Sequence, residues 1–552
     1  MSKTKKSESN FLVQGSILAI ASIISRVIGL LYRIPLKSII GDIGNDYYGT
    51  AMEIYSILLL ISSYSLPVSV SKLVSTRMAK GQRKNAYRIF KGALLFALVS
   101  GSIASLLVYF GADFITTYVV NTPLSIFALK TMAPTLLIVA VLGVVRGFYQ
   151  GMGTMMPSAL SQLLEQIANA IASVTFAYML YQYGIKIGAV LGNPSTYAEA
   201  YGASGGTIGT GVGAMVALVT VLVIFLLFRS KLNLMLEKDK GKHFESYGRI
   251  FSILILTILP VLLSTTIYNI TSFLDTSVFK QIAAAQGYKA NDYSTMWGIY
   301  VGEYKVMVNV PIAIASSVAT SSVPSLSTAF AAKDIPQVKR KVAYSIRFIM
   351  IIAIPCAVGM GVLASPILQL LFQDSRKMPE LMMQIGAVSI IFYSLSTLSN
   401  GILQGINRMN IPVKNALITL ILHMGVLVVL MYGLDLNIYA VVWANTFFSF
   451  FMCILNGMAI RKYLRYKQEI LRTFVIPIIC AAAMGAAVYG MYQLLMNTIN
   501  SNVVATTGSI VIGVVVYGIL LLILGGLREK ELRSFPMGNL IIRVAKKLRL
   551  MR

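Results

Sequence analysis

Runs of about twenty apolar residues recur along the whole of this 552-residue chain, and no other feature constrains its fold as much. At about 1.5 Å rise per residue, each run is long enough as a helix to cross a hydrocarbon layer of roughly 30 Å. Lipid offers no partner to backbone N–H and C=O groups, so a spanning segment must satisfy its own, and runs of this length do so as helices. They fall at roughly 11–36, 46–71, 89–110, 124–147, 156–181, 207–228, 250–279, 296–322, 343–371, 382–405, 412–433, 437–460, 473–496 and 503–526, here called spans 1 to 14. With 57% hydrophobic and 12% charged residues, the chain has too little charge to cover a water-facing surface of its size. The expected class is an all-α polytopic membrane protein of about fourteen transmembrane helices.

The connections between spans divide sharply by charge. One alternate set carries Lys3, Lys5 and Lys6, the Lys72 to Lys91 cluster, Arg146, the Arg229 to Arg249 cluster, Lys333 to Arg347, Arg408, Lys414, Arg461 to Arg472 and the tail from Arg528, about 37 of the 47 basic residues. The other set holds little beyond Lys37, Lys130, Lys186, Lys280, Lys289, Arg376 and Lys377. Lys and Arg accumulate in short cytoplasmic loops, so both termini are expected in the cytoplasm. The net charge of +27 then reflects topology and attraction to an anionic inner leaflet, and its dispersal between spans argues against nucleic-acid binding. In the tail, Arg543, Lys546, Lys547 and Arg549 interleave with Leu540, Ile541, Val544 and Leu548, the pattern of an amphipathic helix on that leaflet.

The chain repeats itself. Residues 66-LPVSVSKLV-74 and 83-RKNAYRI-89 recur as 323-VPSLSTAF-330 and 340-RKVAYSI-346, and 147-GFYQGMGTM-155 recurs as 401-GILQGINRM-409. A parallel repeat of six spans gives an N-lobe over 1–230, a linker at 231–249, a C-lobe over 250–462, two extra spans over 463–527 and a basic tail at 528–552. Transporters built from such repeats hold substrate between the halves.

The S-R-V-x-G run at Ser25 to Gly29, Asp46 at the start of span 2, P-S-L-S-x-x-F at Pro324 to Phe330, and the layout of six, six and two spans resemble the MOP flippase superfamily. Within it the chain is similar to the polysaccharide-transport and MurJ-type lipid II flippase branch, and S-Q-x-x-E-Q at Ser161 to Gln166 resembles the stage V sporulation protein B group. The resemblance implies a flippase in the bacterial cytoplasmic membrane, moving a polyprenyl-pyrophosphate-linked sugar precursor, lipid II foremost, by alternating access. The sequence departs from the MurJ pattern at Tyr32, where that pattern has an arginine; here the arginine is Arg33.

Charges inside spans are costly and mark function. Arg26 and Arg33, seven residues apart, share one helix face, and their planar guanidinium forks suit a pyrophosphate. Snorkelling of Arg33 and Lys37 to the interface is the structural alternative. The resemblance adds Lys305 in span 8 as a further cavity cation. Asp46, Glu53, Glu165, Asp275 and Glu303 are the candidate counter-ions or coupling groups. No cofactor is expected, and coupling would be to membrane potential, H+ or Na+. The expected partners are the lipid-linked glycan and membrane lipids, with the protein acting as a monomer, alone or beside the cell-wall synthesis machinery. A multidrug or organic-cation exporter of the same superfamily is the rival transporter. A polyprenyl-lipid transferase would need acidic or histidine loop clusters, which the mostly basic loops do not provide.

Overall fold

The computed structural model describes residues 21–22, 24–59, 65–237, 239, 244–527, 543 and 546, and among them the secondary structure is helical, with no strand. The start of span 1, His243 and the expected amphipathic tail helix lie outside the described residues. Among the described residues nine helices are long and apolar enough to cross a bilayer: span 3 Arg83–Val119, span 4 Pro123–Gly151, span 5 Met156–Leu191, span 6 Pro194–Glu237, span 9 Ile335–Val362, span 11 Asn410–Tyr432, span 12 Ile438–Leu464, span 13 Leu471–Ile499 and span 14 Asn502–Ile523. Span 10 is a pair, Lys377–Gly386 and Ser389–Gly405, bent by 45°. The remaining four, spans 1, 2, 7 and 8, carry most of the charged candidates. Span 7 is Tyr247–Ala285 and span 8 runs through Ala290–Ile299 and Lys305–Ala331 around a π-helical turn at Tyr300–Tyr304. The chain is an all-α polytopic membrane protein of about fourteen helices.

Spans 1 and 2 meet within the Arg33–Leu59 helix, and span 2 resumes as Ser65–Ala79. The sequence leaves nine residues for their connection, yet one suffices: Gly41 takes φ 70° and ψ −172°, a conformation that a side chain would strain. Across that corner Lys37 pairs with Asp42 at 3.3 Å, so Lys37 is held in an ion pair instead of snorkelling. The connection expected between spans 5 and 6 is also helical. Both helices run on to a turn at Gly192, and the small residues of 202-GASGGTIGTGVG-213 let the two backbones approach closely.

Two compact units divide at Gly302, so span 7 and the start of span 8 pack with spans 1 to 6. In the first unit, an apolar core from Leu66 through Phe148 to Leu254 joins spans 2, 3, 4, 6 and 7. A second core, around Tyr48 and Met132, joins spans 1 to 6. The basic segments before span 3 and before span 7 are tied together: Arg77 forks onto Glu245 at 2.7 and 3.2 Å, the Lys84 N–H donates to Asp239 at 2.9 Å, and Arg88 lies 4.7 Å from the Tyr247 ring centroid. In the second unit, spans 13 and 14 lie against span 9, where Tyr517 donates to the Ile351 carbonyl at 2.9 Å and Asn502 to that of Pro366 at 3.1 Å.

The two repeated motifs touch each other in each half. A Cβ on Gly147 would lie 2.7 Å from the Pro67 carbonyl oxygen, and one on Gly151 2.9 Å from that of Ser71, so span 4 packs on span 2 with backbone against backbone. Gly401 meets Ala319 and Gly405 meets Leu326 in the same way, span 10 on span 8. Helices in lipid associate through close van der Waals packing, and glycine at both steps permits it. The G-x-x-Q-G frame is therefore a helix–helix joint, duplicated with the halves.

Candidate functional site

Among the described residues, three groups of charges involve the acidic candidates of the spans, two in the first unit and one in the second. In the first group Asp46 and Thr50 stand one turn apart on span 2 and so share a face. Lys280 of span 7 donates to Asp46 Oδ1, to Thr50 Oγ1 at 3.1 Å and to Thr122 Oγ1 at 3.2 Å. The side chains of both ions are 0% exposed. An ammonium has three N–H donors, and here three oxygens receive them. One turn back on span 7, Thr276 donates to Glu53, and its neighbour Asp275 is buried. Arg33 is half-buried with its guanidinium 5.6 Å from the Tyr48 ring centroid, and the Tyr32 and Tyr48 hydroxyls bond at 2.9 Å. The structure thus sets Asp46 against Lys280, a cation that the sequence reading had left among the loop charges, with Glu53 bonded to Thr276 one turn away on the same helix.

The second group is built by S-Q-x-x-E-Q on span 5. Ser161 and Glu165, one turn apart, together hold Arg146 of span 4, whose Nε donates to Ser161 Oγ at 2.9 Å and Nη2 to Glu165 Oε2 at 2.7 Å. Gln162 and Gln166 present the adjoining face to span 1: Ser25 donates to the Gln162 carbonyl at 3.3 Å, Ser22 to its side chain at 3.2 Å, and a Cβ on Gly29 would lie 3.2 Å from Gln166 Oε1. The S-R-V-x-G and S-Q-x-x-E-Q motifs therefore pack on each other. Arg26, between Ser25 and Gly29, is exposed. Glu165 pairs with Arg146.

The third group is in the second unit. Glu303, fully buried in the π-helical turn, has Arg376 at 3.8 Å, and Arg376 also binds Asp374 with Nε at 2.9 Å from Oδ2. Burial would raise the Asp374 carboxyl, but hydrogen bonds from the Arg376 side chain and N–H outweigh it and hold the group at about 2. Tyr304 reaches Ser389 Oγ at 3.3 Å, and Lys305 is half-buried. A π-turn often accompanies a functional position in a helix.

Lys280, Arg146 and Arg376 are the residues that sequence reasoning missed as site members, having counted all three as topological charge. Lys280 carried a signal: Thr276 one turn before it and Asp275 beside that make a polar stripe at the end of an otherwise apolar run. His423 packs edge-on to Phe448 at 5.6 Å with Nδ1 2.8 Å from the Ala444 carbonyl oxygen, a structural placement.

A helical bundle with charge pairs on spans 2, 4, 5, 7 and 8 is the make-up of a membrane transporter. Residues 12–330, more than half of the chain, match the family described as polysaccharide biosynthesis protein, and the chain belongs to that family, within the MOP superfamily of flippases. Residues 307–429 match the MatE family. The chain is 26% identical over 502 residues to the lipid II flippase MurJ of Bacillus subtilis (strain 168), covering 87% of this chain and 88% of that protein. It is 24% identical to stage V sporulation protein B of the same organism, over 97% and 99% of the two chains. Among solved structures it is similar to lipid II flippase MurJ in an inward closed conformation, with TM-score 0.61 and 14% identity over 91% of this chain and 97% of that one. It is also similar to an inward-facing multidrug resistance MATE family transporter of the MOP superfamily, with TM-score 0.59 and 14% identity over 81% and 98%.

Proposed function

We propose that this flippase carries a polyprenyl-pyrophosphate-linked cell-wall precursor, lipid II, across the bacterial cytoplasmic membrane by alternating access, with the basic ends of its spans and both termini in the cytoplasm. The observation that carries the choice of an anionic cargo is the pairing of the acids. Asp46 is held by Lys280, Glu165 by Arg146 and Glu303 by Arg376, so three of the five acidic candidates already face a cation within the protein. A multidrug or organic-cation exporter needs acidic groups that its cargo can engage, and these three are spoken for. Arg26, exposed on span 1, and Arg33, half-buried above it, supply the positive charge a pyrophosphate requires. Lys305 is the corresponding cation of the second unit. Membrane potential, H+ or Na+ would energise the cycle, with Glu53 and Asp275 as the acids to examine for coupling.

The test is to deplete a known lipid II flippase, express this protein in its place, and measure precursor exposed on the outer leaflet. Restored exposure, lost on Arg26→Glu, supports the reading. Failure to restore it, with drug resistance on overexpression, would favour the exporter.

A further inference from the structure

Away from these charge groups, the second unit holds a recess of about 690 Å³ at the basic ends of spans 11 and 12, lined by Ile411, Met458, Ala459, Arg461, Lys462 and Tyr463. Its composition is specific. Arg461 and Lys462 stand in the last turn of span 12, and the Arg408 guanidinium, from the connection before span 11, lies 4.5 Å from the Tyr463 ring centroid. The Lys462 ammonium sits 6.0 Å from the same ring. Two cations thus flank one phenol and a third, Arg461, lines the recess with it; none of the lining residues is acidic, and Ile411, Met458 and Ala459 make the rest of the wall. The bias of Lys and Arg to one side of a membrane explains why basic residues occur at this end. It does not explain their assembly around a ring and an apolar recess.

Beyond the recess and past Lys414, toward the middle of the spans, exposed side chains are apolar. Ile418 and Leu422 follow Ile411 along span 11 at helical spacing, and Ile454 and Phe450 precede Met458 along span 12. From the basic end inward the recess therefore passes from cations around an aromatic ring to an apolar track, the order in which a phospholipid presents its headgroup and its acyl chains. Basic pockets between transmembrane helices on the cytoplasmic side suit anionic headgroups in this way.

We propose that this recess is a binding site for an anionic phospholipid of the leaflet that the basic ends face, with Arg408, Arg461 and Lys462 on the phosphate, Tyr463 beside the headgroup and the acyl chains along Ile418, Leu422 and Ile454. The proposal does not depend on the cargo. Its ligand is a resident lipid, and its residues are distinct from every charge group described above.

The experiment is to purify the full chain from membranes of mixed phosphatidylglycerol and phosphatidylcholine and to measure the retained lipids by mass spectrometry. Two variants test the site. Arg408→Gln/Arg461→Gln/Lys462→Gln removes the charge, and Ala459→Trp fills the recess with the charge intact. A control, Lys339→Gln/Lys341→Gln, removes charge from the start of span 9. The expected result is enrichment of phosphatidylglycerol in the wild type and the control, a fall of about tenfold in that enrichment in the triple variant, a similar loss in Ala459→Trp, and no displacement by millimolar inorganic phosphate. Equal retention by wild type and both variants overturns the proposal. So does a loss in the control as large as in the triple variant, which would make the effect one of general surface charge. Displacement by inorganic phosphate would show a site for the free ion and also overturn it.

Discussion

Replacing Lys280 with Met removes the charge from the most deeply buried pair in the first unit while keeping nearly the same side-chain length. The Asp46 carboxylate then remains at 0% exposure with no cation against it. At a hydrogen-bonded separation of roughly 3 Å and an effective dielectric constant of about 20, the lost attraction is on the order of 5 kcal/mol. Breaking buried pairs by deleting one partner typically costs about 3–5 kcal/mol, and that is the expected loss of stability. Asp46→Leu alone leaves an ammonium held by the oxygens of Thr50 and Thr122, and a loss of the same size follows. Removing both charges together, Asp46→Leu/Lys280→Met, leaves no uncompensated ion and is expected to return stability to within about 2 kcal/mol of the wild type. Unfolding in mixed micelles of increasing dodecyl sulfate content measures all four proteins. Single variants within about 1 kcal/mol of the wild type, or a double variant no more stable than either single, would refute the reasoning. The double variant also separates roles: if it folds but no longer restores precursor exposure, the pair serves transport as well as structure.

At the helix joint, Gly147→Leu or Gly405→Leu forces side-chain atoms onto a backbone or side chain less than 3 Å from the Cβ, and a destabilisation of about 1–3 kcal/mol is expected in the same micelle assay; wild-type stability would show that the spans separate at no cost. Arg146 and Glu165 are 17% and 21% exposed, so Arg146→Met should lose about 1–3 kcal/mol, less than Lys280→Met, with Glu165→Gln milder still because its amide oxygen can accept from Arg146. Asp374, held at about 2, contributes stability that is fully present above the ordinary carboxylate value near 4 and is lost as pH falls toward 2. The melting-temperature difference between wild type and Asp374→Asn should therefore be constant from pH 7 to about 5 and shrink below it, whereas a difference that grew on acidification would reverse the sign of the argument.

The span count was legible because hydrophobic length is a property of the chain alone, and twenty apolar residues in lipid leave the backbone few choices. The repeat was legible too, but its meaning was not. The match of 66–74 with 323–330 and of 147–155 with 401–409 says that the chain is duplicated, and only the fold shows that the two segments are opposite sides of one joint. Charge was harder to read. A lysine or arginine at the end of an apolar run looks the same whether it faces water or an acid on another span. Lys280 and Arg376 were therefore counted with the loops, and Asp46 and Glu303 were left as candidate counter-ions or coupling groups with no partner named. Long-range pairing between spans 2 and 7, 234 residues apart, has no local signature. Where the partners are close, as with Ser161 and Glu165 one turn apart, the motif did carry the geometry, and it was the acceptor's side of an ion pair.

The duplicated joint also shows how the two halves diverged. Asn400 stands 254 residues after Arg146, and Asn415 stands 254 after Ser161, the same offset that relates the G-x-x-Q-G frames. In the first half this position holds an arginine forked onto a serine and a glutamate. In the second, Asn456 donates to Asn400 Oδ1 at 2.7 Å and to Ser399 Oγ at 2.9 Å while Asn415 donates to Asn456 Oδ1 at 2.9 Å. Both networks cross between spans at the basic end beside a glycine joint, so the task of fixing helix to helix has been kept. Its chemistry has changed. A guanidinium–carboxylate pair attracts at a distance and responds to any charge brought near it, whereas amide hydrogen bonds act only in contact and carry no net charge. An anionic headgroup passing this level would therefore perturb the first joint by competing for Arg146 and leave the second almost untouched. An ion pair in one half and neutral amides in the other make the two halves unequal in their response to a charged cargo, although the same repeated joint underlies both.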